Sequence, residues 1–115
     1  MTPAEHALNV LGGIIPDNRS RLAKAGGLMD NAHFTEKSSR TLWGFLVRYA
    51  NQTHGAVMPL KFLEDLLRER GAQAGQQAQF EELYETCAEM DVDDSEFLFS
   101  LNQLREIQAE KGTGE

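Results

Sequence analysis

One stretch, residues 35–52, dictates most of what this chain can fold into. It holds the only tryptophan, Trp43, among Leu42, Phe45, Leu46, Val47 and Tyr49. At about 100° per residue these apolar positions sweep roughly 200° of a helical wheel. Arg40, Gly44, Arg48 and Asn51 fill the remaining strip. A surface helix needs only about half that apolar width. The stretch therefore predicts a helix covered on two sides, with an Arg40/Arg48 edge in water. Thr35 stands at the expected N-cap, and Glu36 adds negative charge to the first turn.

Nothing else in the chain asks for strands, because no segment alternates with period two over a useful length. Thr2-Pro3-Ala4-Glu5 starts a helix, with Thr2 as cap, Pro3 in the first helical position and Glu5 closing a capping box. Ala7, Leu8, Val10, Leu11, Ile14 and Ile15 follow at helical spacing, and Gly12-Gly13 invites another backbone to come close. Pro16-Asp17-Asn18 is a turn. Arg19 to Ala25 reads as a short helix stopped by Gly26-Gly27, and Leu28 and Phe34 anchor the connector beyond it. Pro59 begins a helix with Leu60, Leu63, Leu66 and Leu67 inward and Phe62 flanking, ended by Gly71. Residues 72–79 are small and polar, part of them loop. Two longer helices close the chain, about 77–90 and 94–110, joined through Asp91-Val92-Asp93-Asp94, with Asp93 and Glu96 forming a second capping box. The expectation is an all-α fold in one domain: a compact subdomain of about four helices (1–74), then an antiparallel helical hairpin (75–111).

A chain of 115 residues can bury about two thirds of the surface that its unfolded form exposes. No run approaches the ~20 apolar residues of a membrane span, and no charged-then-apolar leader opens the chain. A single cysteine cannot form an internal disulfide, so a cytoplasmic protein is expected. Cys87 itself sits on an apolar stripe as a small buried hydrophobe. The net charge of −7 is segregated: residues 1–70 hold nine Lys/Arg and seven Asp/Glu, whereas residues 71–115 hold two and eleven. Acid this dense repels nucleic acid from the C-terminal half. The first half lacks a Lys/Arg cluster interleaved with aromatics. Neither nucleic acid nor membrane is therefore an expected partner.

The residues also argue against an enzyme. There is no phosphate-cradling glycine loop. His6, His33 and His54 are isolated, and no Cys/His pair has metal spacing. Glu81, Glu82, Glu85 and Glu89 lack inward histidine partners and form a solvated face. Ser38-Ser39 near His33 has no orienting acid. No catalytic residue, cofactor or metal is expected.

Taken in order, the residues resemble the N-terminal domain of DnaB-type replicative DNA helicases. The family's opening Ala-Glu-Gln helix and apolar Leu-Gly stretch are matched by Ala4-Glu5-His6-Ala7-Leu8, Leu11-Gly12-Gly13-Ile14-Ile15 and Asp17. Its short acidic-or-histidine plus Phe element is matched by His33-Phe34, and its His-Arg-x-Ile-Phe core by Ser39-Arg40-Thr41-Leu42-Trp43. Its Gly-x-x-[IV]-Asp-Leu-x-x-Leu segment ending in Glu-Arg-x-Gly corresponds to Gly55 to Leu60, Leu63, Leu66-Leu67 and Arg68-Glu69-Arg70-Gly71. Its terminal hairpin corresponds to Phe80 through Gln108. Pro59 replaces the usual capping Asp, and the hairpin tip at Asp91–Asp94 is more acidic than the family's.

The resemblance implies a non-catalytic module of the replicative helicase: the hexamer collar, whose hairpins pair between subunits and which docks the C-terminal domain of DnaG-type primase and responds to helicase loaders. The family's ATPase domain has no counterpart in these residues, which leaves an excised domain or a free-standing phage or plasmid relative that mimics the collar and competes for primase or loader. An unrelated acidic helical adaptor is the other alternative. For self-association the expected residues are Phe80, Leu83, Tyr84, Phe97, Leu98, Phe99 and Leu101. Phe99 lies nearly opposite Leu101 on its helix, a placement that fits equally a second apolar face for another chain and a lone exposed Phe. The acidic edge of Glu85, Glu89, Asp91, Asp93 and Asp94 is the expected surface for a basic partner.

Overall fold

Thr2 Oγ1 accepts the backbone N–H of Glu5 at 3.2 Å, and the Glu5 carboxylate reaches back to the Thr2 N–H at 3.4 Å. This reciprocal box starts α1 (Pro3–Ile14), the first of six α-helices among the described residues of the computed structural model. The structure describes residues 2–16 and 18–113, with side chains up to Glu110, and no strand occurs among them. Asp17, which the family resemblance and the expected turn both include, lies outside the described residues.

The second helix, α2 (Arg19–Leu28), is capped by the Asn18 side chain, which accepts from Arg21 N–H at 3.1 Å. It runs through Gly26-Gly27 instead of stopping there. Met29 N–H still bonds Ala25 C=O at 2.8 Å, and neither glycine turns left-handed. The extra turn rotates Leu28 outward, 38 % exposed, and sends Met29 into the core in its place. A 3-10 turn (Asn31–His33) leads to Phe34, which is buried against Trp43 with ring centroids 5.2 Å apart.

The tryptophan helix is α3 (Lys37–Gln52). Its N-cap is Glu36, not Thr35, and no side chain caps it. Arg40 Nε instead donates to Phe34 C=O at 3.1 Å and ties the preceding loop to the first turn. Leu42, Trp43, Phe45 and Leu46 are buried, while Arg40, Arg48 and Asn51 are exposed, as the wide apolar arc requires. The next helix, α4 (Leu60–Glu69), follows Pro59 and ends at Gly71, whose φ of +71° is left-handed backbone that glycine adopts without steric cost. Then come α5 (Ala74–Glu89), which starts earlier than the polar sequence suggested, and α6 (Asp94–Thr113).

The hub of the packing is α1 rather than α3. It touches α2, α3, α5 and α6, and buries Ala7, Val10, Leu11, Gly12, Gly13 and Ile14. Small residues make this possible. What approaches the two glycines is side chain, not the expected backbone: a Cβ on Gly12 would meet Met90 Sδ at 2.7 Å, and one on Gly13 would meet Phe97 Cδ1 at 2.8 Å. α6 runs antiparallel along α1, since His6 meets Ser100 while Gly13 meets Phe97. α5 lies against α1 and α4. The last two helices therefore do not stand clear of the body. Tyr84, Cys87, Phe97, Leu101 and Leu104 share one buried cluster with α1, α3 and α4, because the chain's own first helix covers the stripe that a partner was expected to cover.

Gly13→Ala is expected to lower stability by about 1–3 kcal/mol, although alanine is the better helix former, because the buried Phe97 ring cannot yield. Urea unfolding checks this, and a gain in stability would contradict the close approach.

Candidate functional site

One buried and one part-buried contact hold α6 in its rotation against α1. Ser100, fully buried, lies 3.0 Å from His6 Nδ1, and Asn9 Nδ2 donates to Ser100 Oγ at 3.0 Å. With Ser100, Phe97, Leu101 and Leu104 turned toward the core, Phe99 is carried outward and is 57 % exposed. Its ring meets the His6 ring in a T-shaped arrangement, 5.8 Å between centroids at 61°. The wheel places Glu96 and Glu106 to either side of Phe99, both exposed. α6 thus presents an aromatic knob on an acidic face.

Of the seven residues expected at a self-association surface, Tyr84, Phe97 and Leu101 are inside the molecule. Tyr84 also donates its hydroxyl to Met58 C=O at 2.6 Å, pinning α5 to the segment before α4. These three side chains already have partners within the chain and are not available to another copy. Phe80, Leu83 and Leu98 are half-buried, with Phe80 6.5 Å from Phe45, and Phe99 alone of the seven is exposed.

The acidic edge is exposed throughout: Glu85, Glu89, Asp91, Asp93 and Asp94 all face solvent. Two of them are engaged. Asp93 caps α6 by accepting from Glu96 N–H at 2.7 Å. Asp94 is gripped by Arg21 Nε at 2.9 Å and Nη2 at 2.6 Å. Arg21 Nη1 also donates to Gly13 C=O at 3.1 Å and Val92 C=O at 2.8 Å, and the guanidinium lies 5.5 Å from the Phe97 ring. One arginine thereby joins the end of α1, α2 and the α5–α6 turn. This fixes the shape of the turn and leaves Glu85, Glu89 and Asp91 as the carboxylates with most freedom to meet a basic surface.

Two of the concave surfaces along α3 include its aromatic side chains. One, about 610 Å³, is floored by Met29, Trp43 and Val47 and edged by Asp30, Asn31 and Arg48. The other, about 420 Å³, lies between α3 and α4 and includes Phe45, Tyr49, Phe62 and Leu66. Phe62 is 42 % exposed there and leans on Tyr49 at 5.1 Å. The sequence pattern left Phe62 as a mere flank of the Leu stripe and did not single out this aromatic cleft.

The chemistry available is limited. The Ser100–His6 pair has a nucleophile and a base in contact, but Ser100 has no exposed surface and Asn9 occupies its oxygen, so the trio acts as a buried polar clasp. Sequence inspection missed it because its members lie 91 and 94 residues apart. No grouping of His, Cys, Asp and Glu among the described residues could hold a metal ion. No buried side-chain nitrogen or oxygen among them lacks a partner. Burial pushes the Cys87 thiol up to about 12. It is expected to resist a disulfide reagent in the native protein at pH 8 and to react at once in urea. Because its folded pKa is raised, Cys87 takes nothing from stability below the ordinary thiol value of 9.0 and costs stability as pH rises from there toward about 12. A Cys87→Ala variant should show a shallower alkaline loss.

No family model, no curated protein and no solved structure matches this chain.

Proposed function

We propose that this chain is a non-catalytic protein-interaction and self-association module of the kind that forms the collar of DnaB-type helicases and docks a DnaG-type primase or a helicase loader. The reading draws on the order and spacing of the motifs from Ala4 to Gly71. It divides the chain into a body, α1 to α4, and a helical arm, α5 and α6, seated against α1. The observation that carries it is the outer face of α6. A large aromatic, Phe99, stands 57 % exposed on a helix whose other face is fully used by the core. Aromatic residues, Phe among them, are enriched at protein contacts relative to the rest of a protein surface. Beside that face, Glu85, Glu89 and Asp91 offer carboxylates to a basic partner.

The test has two arms. Light scattering across a concentration series should show mass rising above the 12.8 kDa of one chain. Calorimetric titration with the purified C-terminal domain of a DnaG-type primase should give saturable binding that weakens as salt is raised. A single-chain mass at every concentration together with no heat of binding would refute the reading.

A further inference from the structure

The end of α5 meets α1 through one flexible side chain. Met90 follows the last turn of α5, its N–H on Cys87 C=O at 3.2 Å. Its side chain lies along Gly12: a Cβ there would meet Met90 Sδ at 2.7 Å, Cβ at 3.0 Å and Cε at 3.2 Å. Gly12 is buried, so the thioether belongs to the seam between α1 and the helical arm. Met90 is nevertheless only half-buried. Met29 and Met58 are buried, and so is Cys87, one turn back on α5. Among the described sulfur-bearing residues, Met90 is therefore the one that solvent reaches.

We propose that Met90 is a peroxide-sensitive latch, whose oxidation releases the α5–α6 turn from α1. The sulfur lone pair accepts one oxygen from hydrogen peroxide, the O–O bond breaks and water leaves. Sulfur loses two electrons, the peroxide gains them, and the thioether becomes a sulfoxide. The product is bulkier and polar, and its oxygen can only accept hydrogen bonds. The seam has neither room nor free donors for it. The N–H groups inside α1 already serve their own helix. Arg21, which reaches the adjacent Gly13, has Nε and Nη2 on Asp94 and Nη1 on the Gly13 and Val92 carbonyls. A sulfoxide oxygen at the seam either goes unpaired or draws Arg21 off those carbonyls, and both weaken the same junction. The step is reversible, because a thiol-dependent reductase returns the sulfur to a thioether as two thiols become a disulfide and the oxygen leaves as water. The latch needs no second copy and no partner, so it stands apart from the interaction reading above.

Dilute hydrogen peroxide followed by peptide mapping in a mass spectrometer tests the target. In the folded protein Met90 should gain its oxygen at least about tenfold faster than Met29 or Met58, and in urea the three should react alike. Amide exchange around Gly12 and across residues 90–94 should then quicken roughly tenfold, and the urea midpoint should fall by about 0.5 M. Met90→Leu, which keeps apolar character and similar volume, should hold its midpoint through the same peroxide dose. Treating oxidised wild type with a methionine sulfoxide reductase should restore both readings, which keeps the test decisive if the leucine variant does not fold. Equal oxidation rates for the three methionines in the folded protein would overturn the latch. So would an oxidised Met90 that leaves exchange and midpoint unmoved, or the same peroxide loss in Met90→Leu.

Discussion

Phe97→Ala should cost about 3–5 kcal/mol of folding stability, whereas Phe99→Ala, two residues on, should change it by no more than about 1 kcal/mol. Phe97 is almost fully buried, and Phe99 is 57 % exposed. The large figure has three sources. Removing the ring opens a cavity beside α1, where a Gly13 Cβ would have met Phe97 at 2.8 Å. It also strips Arg21 of the ring that its guanidinium faces at 5.5 Å. Arg21 is the residue joining Gly13, Val92 and Asp94, so the turn between α5 and α6 loosens as well. In urea the midpoint should fall by on the order of 2 M for Phe97→Ala and hardly move for Phe99→Ala. Equal losses for the two would mean that α6 is rotated differently on α1.

Trp43→Ala is the second large effect, again about 3–5 kcal/mol, with Trp43→Phe much milder. Trp43 is 1 % exposed, tilted against Phe34, and floors the 610 Å³ surface beside the 3-10 turn. Truncation would remove the largest fully buried side chain and leave Phe34 facing a void. Against a typical domain stability of about 5–15 kcal/mol, such a loss is a large share of the total. Far-ultraviolet circular dichroism follows the variant, which has no tryptophan emission. In wild type the emission should be blue-shifted and move red on unfolding. A loss below about 1 kcal/mol would show that α3 is not enclosed.

What was legible in the sequence is what local chemistry decides. The wide apolar arc of residues 35–52 anticipated the enclosure of Trp43 and the wet Arg40/Arg48 edge. Thr2 with Glu5, Asp93 capping Glu96, and Gly71 are short-range devices, and they appear where their spacing put them. The errors have the opposite character. Gly26-Gly27 looked like a stop, yet the i−4 bonding continued and turned Leu28 out and Met29 in. The stripe of Phe97, Leu101 and Leu104 announced a partner without saying which, and that partner is α1, some ninety residues upstream. Arg21 carries nothing in its own neighbourhood that points to Val92 or Asp94, 71 and 73 residues away. The candidate surface shared this fate. Exposure of Phe99 followed from its position opposite Leu101, but the aromatic cleft needed α3 and α4 to be placed first.

The antiparallel seating of α6 on α1 also governs when this molecule can come into being. During synthesis α1 emerges before α6, and the part of its apolar side that α6 covers stays exposed until Phe97 to Leu104 leave the ribosome. Its long-range pairing also implies slower folding than a bundle of consecutive helices of equal size, since that loop must close before the reward arrives. A nascent chain halted before residue 94 would lack the helix that covers α1, and chaperones would meet it as an unfinished, sticky intermediate.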